Sequence, residues 1–95
     1  MAIKIIIRRR VPKEKEAKLL PLLVELRSKA TTQPGYISGE TLRNVSDPQD
    51  FIVISTWQSV EAWNVWEASK GREEIQKKID ALLGEKTVYG VYFYG

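Results

Sequence analysis

The chain has 95 residues, 43% hydrophobic and 28% charged, a balance that suits one soluble domain spanning residues 1–95. It has no cysteine and no histidine. That excludes disulfides, thiol nucleophiles, zinc–thiolate and iron–sulfur sites, and it removes the commonest general base, metal ligand and proximal haem ligand. The net charge is +3, from fifteen basic and twelve acidic residues interleaved along the chain, so it gives only a weak pull towards anions and no sign of nucleic-acid binding.

Ala2–Val11 comes first, with Ile3, Ile5 and Ile7 at period two, which predicts a strand. Its short apolar run, Ile5–Ile7, ends in three arginines and is neither a signal sequence nor a membrane span, so the chain is read as cytoplasmic with no membrane partner. Pro12 stops the strand, and residues 13–32 read as a helix carrying Leu19, Leu22, Leu23, Leu26 and Ala30 on one side. Pro21 lacks an N–H and crowds the Ala17 carbonyl, which predicts a kink or a late start. Gln33-Pro34-Gly35 is a turn, and residues 36–45 form a second strand.

Residues 46–50, Ser-Asp-Pro-Gln-Asp, read as a turn joining the second strand to a third over 51–58 as an antiparallel hairpin. Ser59 suits a helix N-cap, with Glu61 in the first turn and Val60, Trp63 and Trp66 three apart. A break is expected near residues 69–71. A further helical stretch then carries Ile75, Ile79, Leu82 and Leu83, and Gly84 is its expected stop. Residues 87–94 form the last strand.

This order is β-α-β-β-α-β with the second helix in two pieces. It predicts an α+β, ferredoxin-like domain: a four-stranded antiparallel sheet with helices on one face. Both faces of that sheet read as apolar. Phe51–Ile54 and Ile5–Ile7 do not alternate, and the last strand has Val88, Tyr92 and Tyr94 on one face against Tyr89, Val91 and Phe93 on the other. A helix layer covers one face only, so the other is expected to pack against a second copy of the chain about a twofold axis.

The run Gln33-Pro34-Gly35-Tyr36, Glu40–Arg43, Asp47-Pro48, Phe51–Trp57, Ser59, Glu61–Trp63 and Trp66 resembles the antibiotic biosynthesis monooxygenase domain family over essentially the whole chain. The resemblance implies a dimeric α/β barrel with a small-molecule cavity between helices and sheet. It also implies one of several roles: cofactor-independent oxidation of quinols or polycyclic aromatics by molecular oxygen, haem degradation, or no catalysis. The haem branch uses an Asn on the first strand, a Trp on the helix after the third strand and an iron-ligating His. Here Trp66 matches the Trp, but Ile7 and Gln76 stand at the other two positions, so haem chemistry is disfavoured.

A cofactor-free oxygenase needs a dry pocket, a proton acceptor and donors that hold a substrate anion. Trp66 offers a flat apolar wall with one N–H donor; Trp63 reads either as a second wall or as plain core. Asn64 offers an amide, although two residues from Trp66 it lies on a different helix face and is expected towards solvent. Tyr36 offers a hydroxyl to a phenolate-like anion. Within Arg8-Arg9-Arg10, Arg8 and Arg10 share a face and Arg9 takes the other; Arg8 is the candidate anion clamp, against a reading as a solvated strand end. Glu40 is the one carboxylate well inside a predicted strand. Burial would make it a base, whereas exposure would make it an ordinary surface acid.

These residues suggest a monooxygenase for a small aromatic or quinol-like substrate, with no cofactor and no metal. The alternatives are a non-catalytic dimer that binds a small ligand or serves in stress, and a regulatory module, because this fold hosts unrelated roles.

Overall fold

The computed structural model describes residues 1–95 and turns the period-two runs into strands and the apolar stripes into helices. In order these are β1 (Ile3–Arg10), a 3₁₀ turn (Lys13–Lys15), α1 (Glu16–Ala30), β2 (Tyr36–Asn44), β3 (Asp47–Trp57), α2 (Val60–Glu67), α3 (Lys70–Leu83) and β4 (Val88–Phe93). The strands form one antiparallel sheet in the order β2-β3-β1-β4, which is the ferredoxin-like arrangement.

Several expected boundaries moved. β3 begins at Asp47, so the turn narrows to Val45 and Ser46, and the register slips where Asn44 meets Asp47. Pro48 is tolerated in the strand because β1 pairs only as far as Asp50, leaving no β1 ladder bond for a missing N–H to break. On the other side, α1 runs unbroken through Pro21. Pro21 and Ala17 are both exposed, so the carbonyl that loses its helical donor can turn to water. The first predicted turn of that helix is 3₁₀, and its last two predicted residues lie beyond it.

Ser59 caps α2 by accepting from the Ala62 N–H at 3.1 Å, and Ser69 caps α3 by accepting from the Arg72 N–H at 3.3 Å. α3 ends at Gly84, whose φ of 74° is the left-handed conformation of a helix stop.

Strand parity assigns the two faces. Ile3, Ile5 and Ile7, continued by Val11, point under the helices and are buried. They and the helices make two apolar clusters. One joins Ile3, Ile5, Ile7, Ala30, Trp57, Trp63 and Trp66; the other joins Val11, Leu19, Phe51, Ile75 and Ile79. Ile5, Leu19 and Ile79 are fully buried, each contributing about 1.5–3 kcal/mol. Leu26 of α1 packs against both clusters.

The outer face carries Ile6, Ile52 and Ile54, half-buried, beside exposed Leu42, Val88 and Tyr92. Its polar end is an ion-pair group. Arg8 donates to Asp50 through Nε and Nη2, both at 2.9 Å, and Arg10 pairs with Asp47 at 2.6 Å. The hydrogen bond from Arg8, the nearby charge and a second bond from Asn44 hold the Asp50 carboxyl below the usual carboxylate range.

Candidate functional site

The two clusters do not meet across the whole layer. Between α1, the inner face of the sheet and the α2–α3 unit lies a cavity of about 220 Å³. An engineered cavity of roughly 150 Å³ holds a benzene ring, so this space suits one or two fused rings. α1 supplies Leu23, Leu26 and Ala30 to its wall, while Leu20 and Val24 stand at its mouth, both partly exposed. Arg27 Nη2 donates to Thr41 Oγ1 at 2.9 Å, an exposed bond linking α1 to β2 at that mouth.

An aromatic chain forms one side. Tyr36 meets Trp57 edge-on with centroids 5.3 Å apart, Trp57 meets Trp63 at 5.8 Å, and Trp63 meets Tyr89 at 5.4 Å. Trp66 lines the cavity outside this chain. Trp57 spends its indole N–H on Ser55 Oγ at 3.1 Å, whereas the Trp66 donor has no such partner. Gly39 lets the Tyr36 ring lie across β2: a Cβ at that position would stand 2.5 Å from the Tyr36 hydroxyl.

The polar end is built from β1 and α3. Arg9 occupies the inner-face position between Ile7 and Val11, in the gap between the two clusters, and is only 3% exposed. Its Nε and Nη2 have no hydrogen-bond partner. Burial lowers its pKa to about 10, partly opposed by the Asp80 charge and reinforced by Arg72.

Arg72 is buried too. It stacks over Trp63 and Tyr89 at 5.4 and 5.5 Å and donates to the Glu67 carbonyl at 3.3 Å. Gln76, one turn on, donates through Nε2 to Asp80 Oδ1 at 2.9 Å and Thr87 Oγ1 at 2.6 Å, which leaves its buried Oε1 unpartnered. Tyr89 Oη donates to Glu67 Oε1 at 2.7 Å; burial, then that bond, raises the phenol's pKa.

Of the six residues singled out in the sequence, the cavity brings together Trp66, Trp63 and Tyr36. The other three lie elsewhere. Arg8 is on the outer face, tied to Asp50. Glu40 is exposed on the same outer face, opposite Ile54. Asn64 is exposed on α2, as its offset from Trp66 predicts.

The sequence reading passed over Arg9, Arg72 and Gln76, although each left a signal. Arg9 shares the parity of Ile3, Ile5, Ile7 and Val11 and must point where they do. Arg72, Gln76 and Asp80 stand four apart alongside Ile75 and Ile79, a polar ladder on the buried side of a helix. The three positions that define the haem branch, Ile7, Trp66 and Gln76, converge on this cavity without an imidazole among them.

An antiparallel ferredoxin-like sheet, roofed by helices over an aromatic cavity, defines an α+β domain with room for a small molecule. The chain belongs to the antibiotic biosynthesis monooxygenase family, whose model matches residues 2–78. No curated protein matches its sequence.

Among solved structures it is similar to a conserved protein from Methanosarcina mazei Go1, at 18% identity and a TM-score of 0.91, covering 100% of this chain and 94% of that one. It is similar to an antibiotic biosynthesis monooxygenase at 20% identity and a TM-score of 0.84, covering 98% of each chain. It is also similar to SnoaB, a cofactor-independent oxygenase from Streptomyces nogalater, at 18% identity and a TM-score of 0.81, covering 99% and 93%. At such identities the likeness shows the fold alone. Proteins of this fold are generally dimeric. No helix of this chain is long and apolar enough to cross a membrane.

Proposed function

We propose that the chain is a cofactor-independent monooxygenase acting on a small aromatic or quinol-like substrate. The observation that carries this reading is the aromatic cavity between helices and sheet, with Trp66 on its wall and several polar groups converging on it, in a chain of this family. The ring of the substrate lies against Trp66 and Trp63, and the Trp66 N–H and Tyr36 hydroxyl donate to its oxygens.

The reaction oxygenates one ring C–H carbon of the quinol. One atom of molecular oxygen stays on that carbon as a hydroxyl, the other leaves as water with the quinol's two hydroxyl hydrogens as the quinol becomes a quinone, and the substrate supplies every electron. The protein's part is to hold the electron-rich ring, exclude water and stabilise the anion.

The functional unit is a homodimer packed sheet against sheet. The apolar stripe of Ile6, Ile52, Ile54, Leu42 and Tyr92 on the outer face supports that arrangement.

Oxygen uptake with a panel of one- and two-ring hydroquinones tests the oxygenase reading. Uptake is expected in wild type, is lost in Trp66→Phe and persists in Glu40→Gln. Absence of protein-dependent uptake across the panel would falsify it.

One observation favours a second reading, a non-catalytic module sheltering a small ligand: no Asp, Glu, Lys or His lines the cavity, so it holds no ready base. Stoichiometric ligand binding without oxygen uptake is its signature.

A further inference from the structure

The cavity's charges are all of one sign. Arg9, Arg27 and Arg72 line it, and no carboxylate does. Arg27 sits at the mouth with Thr41, and Arg72 is turned over the Trp63 and Tyr89 rings, so each has a use within the chain. Arg9 has none. A guanidinium that is 3% exposed, with Nε and Nη2 lacking any partner, costs the fold heavily unless something completes it. A hydrophobic residue at that position would join Ile7 and Val11 on either side. Gln76 lines the same cavity; its buried Oε1 is an acceptor without a donor, and its orientation is fixed because Nε2 is held by Asp80 and Thr87.

Unsatisfied donors on a cation and one unsatisfied acceptor describe the missing ligand. We propose that the cavity selects a hydroxyaromatic monoanion of one or two rings, with its ionised oxygen on Nε and Nη2 of Arg9 and a still-protonated hydroxyl donating to Gln76 Oε1. This rests on the preceding section for the location of the ligand but not on turnover. The two nitrogens form the fork that a carboxylate or phenolate oxygen accepts from, on a buried guanidinium where a charge-assisted bond is strongest.

The arrangement also answers the missing base. A site lined by three arginines lowers the pKa of a phenol bound in it, so the bound phenol gives its proton up to water and no general base is needed inside.

Binding of a hydroxynaphthoate, followed by tryptophan fluorescence and calorimetry at neutral pH, tests the proposal against its neutral amide and against a naphthoate lacking the hydroxyl. Wild type is expected to prefer the acid over the amide by about 10- to 100-fold, the range of a hydrogen bond to a charged group. Arg9→Met abolishes that preference while still binding the amide, which also shows that the variant is folded. Arg8→Met, altered on the other face, keeps the preference.

Equal affinity for acid and amide in wild type, failure to bind either, or a preference that survives Arg9→Met overturns the proposal. Equal affinity for the two acids removes Gln76 from it. Acid selectivity through Arg9 without oxygen uptake refutes the oxygenase reading and leaves this one standing; uptake without acid selectivity does the reverse.

Discussion

Removing the charge of Arg9 should make the protein more stable. The guanidinium is charged in the folded and unfolded chains alike at neutral pH, but burial brings its pKa from the ordinary arginine value down to about 10. That fall corresponds to about 3 kcal/mol of destabilisation. Because the folded value is the lower one, the cost is present in full below pH 10 and fades as pH rises between the two values.

Arg9→Met keeps an unbranched stem of similar reach between Ile7 and Val11 and removes the charge, together with its repulsion from Arg72. We expect a gain of about 1–3 kcal/mol, since replacing buried charges by well-packed apolar groups is commonly neutral or stabilising on that scale. For a chain of this size each kcal/mol moves Tm by roughly 4–8 °C. Urea unfolding at fixed protein concentration measures it, with an unchanged m-value as the check that only stability moved. A variant less stable than wild type by about 1 kcal/mol or more would show that the guanidinium is already satisfied in the free protein, and the reasoning about an incomplete cation would fall.

Other outcomes follow from the same geometry. Trp63→Ala removes a ring that contacts Trp57, Tyr89 and Arg72 and is 3% exposed; urea unfolding should show a loss of about 3–5 kcal/mol. Asp80→Asn weakens three hydrogen bonds, those from Gln76 Nε2, Thr87 N and Thr87 Oγ1, and should cost about 1–3 kcal/mol at neutral pH. At Asp80 burial pushes the carboxyl up, yet the bonds from Thr87 and Gln76 and the Arg9 charge carry it below its usual value. Its stabilisation is therefore complete above the unfolded pKa and is lost as pH falls through the lower folded one, so acid titration of the unfolding midpoint should be flatter in Asp80→Asn than in wild type. Size-exclusion chromatography with light scattering should report a dimer at micromolar concentration, and Ile54→Lys on the outer face should shift it to monomer.

Period two and period 3.6 were enough to read the element order, because Ile3, Ile5 and Ile7 and the α1 leucines obey the two rules separately. The start of β3 was hidden for a physical reason. Asp47, Pro48 and Asp50 are turn formers in isolation, and it takes partners distant in sequence, the backbone bond from Val11 N–H to the Gln49 carbonyl and the pairing of Arg8 and Arg10 with the two acids, to hold that segment in the sheet. Tertiary context also decided Pro21, whose missing bond falls on an exposed stretch of α1. Aromatic residues announced one side of the cavity. Its cationic end was legible in principle from parity, but a run of three arginines reads as solvated unless the inward position of the middle one is followed through Ile7 to Val11. Glu40 is the opposite case: its place within a strand was right, and only the register, which sets it across from Ile54, assigns it to the outer face.

The link between Arg27 and Thr41 has a kinetic consequence. It is a single exposed side-chain bond across the entrance, so opening it needs a rotamer change of one arginine rather than a hinge. Exposed side chains make such moves in picoseconds to nanoseconds. Exchange of the proposed ligand would then need no lid movement, every helix and strand staying in place. The arginine at that doorway would also meet an arriving anion before the interior does, so the same latch that yields to it would draw it in.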